Sequence, residues 1–549
     1  MALSRPGKLA VMIGILLAVI GVAAVVAVVV FVPMSQQKAR ERLIAALEER
    51  FEAKVELQEL RLQMLPTIRA EGRGLTIRHR GRTDVPPLIT IPHFSAESGL
   101  TSFLHRHISR VDVEGLDIEI PPDHNRDADD ASAAHDARVS GRDYAITDDA
   151  GDEGLARSFV VDDLYAAGAR LNIIPSEEGR SPKVWAIHDL HMKALGVGRS
   201  MPFQATLTNA VPPGEIATEG SFGPWRQDDP GETRLDGAFT FDHADLSVFK
   251  GIAGLLSAHG QFGGKLERLD VHGETDTPQF SVVKTGGHAV PMHTTYHAIV
   301  DGTNGNTLLE DVDAKILNTR ILARGGVIGK PHVDGRTVSL DVTIAGGRLE
   351  DIMRMVVAAP KAPMNGGLRL QTKFVLPPGD EDVVKKLRLD GRFTLSGARF
   401  TNADVQKKIL ELSRRGSGKV GDKAEEVDPA KVASRFDGRF KLADGGLDIP
   451  DVTFDVAGAS VRLAGDYGLV SETIDFQGTL FMDVKVSDTT TGIKHVLLKL
   501  VDPLFKREGG GSAIPIRITG TRTEPSFGLD KGRVFSRKPR RPSDAATAN

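Results

Sequence analysis

Four groupings in the chain have residue types and spacing that could do chemistry. His188 with His191, and His293 with His297, are the best-spaced histidine pairs for holding a metal ion. The run "DGTNGNTLLEDVDAK" at 301–315 offers carboxylates and amides to calcium, and "GVGRSM" at 196–201 opens like a dinucleotide phosphate loop. Each has a plainer reading. On a strand, His293 and His297 would have Cα atoms roughly 13 Å apart, too far for one ion without a sharp bend. Both histidine pairs therefore read as polar-face residues. The Gly and Asn residues of 301–315 suit a hairpin turn. "GVGRSM" lacks the third glycine and the strand–helix setting that a phosphate loop needs. The Asp-rich segment 121–156 lacks the Gly and Glu spacing of an EF-hand loop.

Wider searches of the sequence find no G-x-S-x-G, P-loop or H-E-x-x-H motif. The chain has no cysteine, which excludes disulfides, thiolate catalysis and Cys-type zinc sites. A net charge of −4 gives no electrostatic case for nucleic acid. The expectation is a protein that is not an enzyme, with no catalytic residue, metal or cofactor.

The elements that would have to position any site are mostly strands. In "VRLAGDYGLVSETIDFQGTLFMDVKV", 461–486, the apolar residues Val461, Leu463, Tyr467 and Leu469 fall on odd positions. After Ser471-Glu472-Thr473 they fall on even ones: Ile474, Phe476, Leu480, Met482, Val484 and Val486. Side chains alternate across a strand, so this is an antiparallel hairpin with one apolar and one polar face. Exposing ten such side chains would cost about 15–30 kcal/mol as an upper bound. Something must cover that face.

Gly is abundant, 58 of 549 residues, and aromatic residues are only 5%, which suits many short strands joined by tight turns. Three segments share one template, apolar-Asp-Gly-x-Phe-x-apolar: "LDGAFTF" (235–241), "LDGRFTL" (389–395) and "FDGRFKL" (436–442). The first is followed by "LSVFKGIAGLLSAHG", where Phe249, Ile252, Leu255 and Leu256 share a helical face; the second by "VQKKILELSRRG", where Val405, Ile409 and Leu412 do the same before Gly416. "GETDTPQF" (273–280) echoes "GTRTEPSF" (520–527). Repeated strand modules need neighbours to complete a sheet.

The ends differ in kind. Residues 9–32 carry no charge and as a helix would reach roughly 36 Å, enough to cross a bilayer as a membrane anchor. Basic residues flank that span on both sides, so charge alone leaves its orientation open. An amphipathic helix over 35–53 follows, with Ala39, Leu43, Leu47 and Phe51 at four-residue spacing. Segment 121–156 has almost no large apolar residue and reads as a solvated insertion. Near the C-terminus, Ile493, Leu497, Leu500 and Leu504 lie on one face of a basic amphipathic helix, read either as a cap on the sheet or as a membrane contact. The tail from Lys531 is basic and Pro/Ser-rich.

The order of these pieces resembles the AsmA-like proteins of bacterial envelopes. The resemblance rests on "VELQELRLQMLPTIRAEGRGLTIRHRG…ISRVDVEGLDIEI", on "PGEIATEGSFGPW…LDGAFTFDHADLSVFKGIAGLLSAHGQFGGKLERLDVHGETDTP", and on "SRFDGRFKLADGGLDIPDVTFDVAGASVRLAGDY…IPIRITGTRTEPSFGLD". It implies a mainly β fold: an elongated, curved antiparallel sheet forming a hydrophobic, taco-like groove, with a few capping helices and one N-terminal transmembrane helix. The expected divisions are an anchor (1–34), a helix with first strands (35–120), the insertion (121–156), a groove body (157–388), a C-terminal β module (389–530) and the tail (531–549). The resemblance further implies a single-pass inner-membrane protein, most of it in the periplasm, that carries phospholipids. Val461, Leu463, Tyr467, Leu469, Ile474, Phe476, Leu480, Met482 and Val484 would line the groove. The alternative kept open is an envelope scaffold that binds outer-membrane or other envelope proteins by strand addition.

Overall fold

A computed structural model describes residues 36–120, 160–173, 183–417, 434–485 and 510–532, with short gaps at 52, 64–66, 80–86, 197, 227–228, 331–332, 334, 523 and 531. The anchor at 9–32, the insertion at 121–156, the helix bearing Ile493, Leu497, Leu500 and Leu504, and most of the tail lie outside the described residues. Among the described residues no helix is long and apolar enough to cross a membrane.

The protein is mainly β, and its strands join in a mixed sheet of 25 strands. Two compact units divide it. One runs to Val248 and takes in Leu255–Thr275 and His297–Leu308; the other comprises Phe249–Gly254, Asp276–Tyr296 and the chain from Leu309 onward.

The first unit opens with helix α1 (Gln36–Phe51), as the periodicity of 35–53 predicts. Strands β1 (Ala53–Gln63), β2 (Ile68–His79) and β3 (Ile89–Ser98) follow in antiparallel pairs. After a short helix α2 (Leu100–Leu104) come β4 (His107–Glu114) and β5 (Asp117–Ile120), separated at Gly115, whose φ of +66° breaks the strand where the sequence pattern shifts phase. Both lie beside β3, and both pair in parallel with β6 (Val160–Ile173). The sheet is therefore mixed and not purely antiparallel. A parallel pair needs a long connection, and β5 and β6 are far apart in sequence. From β6 the path is an antiparallel meander through β7 (Lys183–Leu195), β8 (Met201–Ala210), β9 (Pro213–Phe222), β10 (Leu235–Asp245) and β12 (Leu255–Lys265).

The segment "LSVFKGIAGLLSAHG" is not the helix its spacing predicts. It forms a single 3₁₀ turn at Leu246–Val248, the two-residue strand β11 (Ile252–Ala253) and the start of β12. Gly251 and Gly254 sit at φ of +103° and +143°, conformations that a helix cannot contain.

Strands β13 (Arg268–Val282) and β14 (Val290–Val300) come next. Between β14 and β15 (Thr307–Ile316), Asp301 to Asn306 form the turn read from the sequence. Asp301 accepts hydrogen bonds there from the Thr303 backbone N–H at 2.9 Å and from its own neighbours' side chains, and Gly305 takes φ of +74°.

The second unit is a longer meander: β16 (Thr319–Gly329), β17 (Arg336–Arg348), helix α3 (Leu349–Val356), β18 (Met364–Leu376), the one-turn α4 (Val383–Lys386), β19 (Arg388–Phe400) and helix α5 (Ala403–Gly416). It continues with β20 (Ser434–Ala443), β21 (Gly446–Val456), β22 (Ala459–Gly468), β23 (Thr473–Met482), β24 (Ser512–Thr521) and β25 (Pro525–Leu529). Every successive pair from β16 to β25 is antiparallel. The link between β20 and β21 is Asp444-Gly445 with both residues at positive φ, the two-residue turn that matches strand twist. Helix α5 is the predicted one; its cap is Asn402, whose side chain accepts from the N–H groups of Asp404 and Val405. The echo between 273–280 and 520–527 is not structural, since the first lies inside β13 and the second turns from β24 into β25.

Candidate functional site

The two units cover their apolar faces differently. In the first, α1 lays Leu43 and Leu47 onto the sheet, both with no exposed surface, against Leu57, Leu75, Ile77 and Ile91. Arg40 ties the helix down by donating to the Leu57 carbonyl. Leu164, Leu171, Met192, Leu195 and Met201 complete this dry core. Protein covers the face there.

In the second unit the apolar side chains form rows that cross the sheet from strand to strand. One runs Leu340–Phe374–Leu389–Leu442–Leu447–Tyr467–Ile474, each residue registered with the next from β17 to β23. A second runs Ile344–Leu370–Phe393–Gly438–Val452–Leu463–Gly478–Ile516–Leu529, from β17 to β25. A third runs Leu368–Leu395–Phe436–Phe454–Val461–Leu480–Ile514. None of these rows contains a charged residue. At about 4.8 Å per strand, the second extends roughly 38 Å.

Bulges keep the rows aligned. The register shifts between Ile344 and Gly347, Leu395 and Ala398, Arg439 and Lys441, and Ile449 and Val452. An unmatched one-residue slip would turn a strand's whole apolar set to the other face.

Burial falls off across the rows. Leu368, Leu395, Phe454 and Val461 are buried, at 5–7% exposure, and Leu349 and Ile352 of α3 pack against the first two. Helix α5 sits at the same strand ends, where Ser413 Oγ donates to the Ala457 carbonyl at 2.9 Å and Gln406 Oε1 accepts from the Phe400 N–H at 3.0 Å. In the row from Leu340 to Ile474 only Leu442 is buried, and the other six residues are half-buried.

The opposite face is as polar as this one is apolar. Asp341, Lys373, Asp390, Lys441, Asp448, Asp466 and Asp475 are registered strand to strand in the same way. Arg439 pairs with Asp451 at 2.6 Å and Arg517 with Asp475 at 3.0 Å, both exposed. Arg435 and Thr394 both donate to Asp437, and the Arg435 bond holds that carboxyl below the usual range. Exposed pairs of this kind add little stability each. They keep the outer face wet.

Of the predicted lining residues, Val461, Leu463, Tyr467, Ile474, Phe476, Leu480 and Met482 stand on β22 and β23 in the expected hairpin: Val461 opposite Leu480, Tyr467 opposite Ile474, and Phe476 opposite Gly465. Val461 and Met482 are buried and the others half-buried. Leu469 and Val484 lie just beyond the strand ends, with the Leu469 N–H bonded to the Gly445 carbonyl and the Val484 carbonyl accepting from Ser512.

The histidine pairs are split by their neighbours. His188 meets Thr208 and Glu215, while His191 meets Asp163 at 2.7 Å and stacks on Tyr165. His293 bonds Asp276 at 2.7 Å. His297 lies instead with Asp270 and His272, a grouping that no sequence spacing announces.

No protein-family model matches the chain, and no curated protein matches it.

Proposed function

We propose that the protein binds phospholipid acyl chains along the apolar rows of the second unit and moves lipid between membranes of a bacterial envelope without chemistry of its own. The carrying observation is the uninterrupted, charge-free row from Leu340 to Ile474 over strands β17 to β23, partly exposed at every position but Leu442. A row of this sort offers hydrocarbon a continuous surface with no fixed polar contact, so a chain can slide along it. Its sister row spans roughly 38 Å against ~15 Å for one hydrocarbon leaflet, room for about two acyl chains end to end. The apolar 9–32 span would tether the chain to the inner membrane with the sheet in the periplasm, and the sheet would form the groove of an AsmA-like protein.

The test is photocrosslinking in cells from the full-length chain with Phe476→p-benzoylphenylalanine, followed by lipid mass spectrometry. Phospholipid adducts from position 476, and none from the polar-face position 475, support the proposal. Adducts to protein alone would sink it.

A second reading has one observation behind it. Strand β25 carries exposed Phe527 and Leu529 beside β24, an edge suited to strand addition by an envelope protein. A scaffold working through that edge tolerates Phe476→Glu; a lipid conduit does not.

A further inference from the structure

We propose that Asp270, His272 and His297 form a site for a divalent transition-metal ion on the polar face of the first unit. Asp270 and His272 are two residues apart on β13 and so point to the same side. His297 comes from β14, and its ring stacks on that of His272 with centroids 4.2 Å apart and planes within 14°. Both Nε2 atoms converge on a single oxygen: Asp270 Oδ1 lies 2.9 Å from His272 Nε2 and 3.0 Å from His297 Nε2. All three donor atoms fall within 4.8 Å of one another.

Those distances are the edges of a coordination shell. Metal–ligand bonds of about 2.0–2.1 Å set at right angles put neighbouring donors roughly 2.9 Å apart, and tetrahedral angles put them about 3.3 Å apart. The two carboxylate–imidazole edges already have this length, so only the separation between the two imidazoles has to adjust. Each imidazole then carries its proton on Nδ1 and presents the Nε2 lone pair to the ion. The dication replaces two hydrogen-bonding protons and leaves every donor satisfied.

The donor set selects the class of ion. Two imidazoles and one carboxylate, with no thiolate, favour Zn²⁺, Co²⁺, Ni²⁺ or Cu²⁺ over Mg²⁺ and Ca²⁺, which prefer all-oxygen shells. Asp270 and His272 are exposed and His297 is half-buried, so solvent completes the shell. Other histidines of this face differ. His191 with Asp163 and His107 with Asp162 are single imidazole–carboxylate pairs, and among the described residues only the Asp270 group assembles three ligands. A bound ion would clip β13 to β14 through side chains.

The experiment uses the full-length chain in detergent, stripped with EDTA and then desalted. Calorimetric titration with ZnCl₂ should show one equivalent bound by the wild type and missing from His272→Gln/His297→Gln. Asp270→Asn, which keeps both imidazoles, should weaken that equivalent at least about tenfold. Titration with CoCl₂ should give the wild type a visible absorption band, and MgCl₂ should give neither heat nor band. Equal Zn²⁺ uptake by the wild type and the double variant overturns the proposal. So does a wild-type chain without the Co²⁺ band, a readout that needs no variant to fold.

Discussion

Phe393 stands directly across from Gly438 in the β19–β20 pair, and two residues along the roles reverse, with Gly391 across from Phe440. The two rings lie 6.1 Å apart. The arrangement recurs in the first unit, where Gly237 faces Phe262 and Phe239 faces Gly260. It explains the repeated Asp-Gly-x-Phe template: glycine makes room for the opposing ring, and the preceding aspartate falls on the wet face.

Gly438→Val should therefore destabilise the second unit by about 1–3 kcal/mol. A Cβ there would stand 2.9 Å from the Asp451 carbonyl oxygen and 3.0 Å from Val452 Cβ. Urea unfolding of the variant against wild type measures the loss; an unchanged midpoint would mean the pair is incidental.

Truncations should report the burial difference between the units. Leu43→Ala removes a side chain with no exposed surface and should cost roughly 2–5 kcal/mol. Ile474→Ala, half-exposed, should cost well under half as much in lipid-free protein. Adding phospholipid vesicles should raise the cost of Ile474→Ala and leave that of Leu43→Ala unchanged, read by thermal unfolding.

Phe476→Glu and Leu480→Arg place charge in the middle of the apolar face. Burying an uncompensated charge against hydrocarbon is costly, so both should abolish lipid crosslinking from neighbouring row positions. Circular dichroism should match wild type, because both residues are half-buried and not in the dry core.

Two carboxylates should give opposite pH dependences. The Arg435 hydrogen bond lowers Asp437 below its ordinary 3.8, so the stability it adds is full above pH 3.8 and is lost as pH falls through the folded-state value. Asp437→Asn should flatten that acid limb. Glu119 is raised above its ordinary 4.5 by burial and by Asp117 beside it, and its Oε2 is buried without a hydrogen-bond partner among the described residues. It favours folding below pH 4.5 and loses that contribution as pH rises, so Glu119→Gln should raise the melting temperature at pH 7 and not at pH 4. A pH-independent effect of Glu119→Gln would contradict this.

The hairpin of Val461 to Met482 was legible because alternation is local, and so were α1 and α5, whose apolar spacing lies within a few turns. The Gly–Phe template was visible as a repeat, but its reason was not, since each glycine's partner lies on another strand. Spacing misread 246–260 because Phe249, Ile252, Leu255 and Leu256 fit a helix equally well, and only Gly251 and Gly254 decide against it. The parallel placement of β6 beside β4 and β5 was hidden by the long link before it. The Asp270–His297 contact spans 27 residues and two strands, beyond any motif spacing.

From β16 to β25 each strand is bonded to its neighbours in sequence, so every strand pairing in this meander is local. Duplicating or deleting one hairpin would change the row length by about 10 Å and leave every other register intact. The apolar surface can therefore be lengthened or shortened two strands at a time without redesign of the strands that remain.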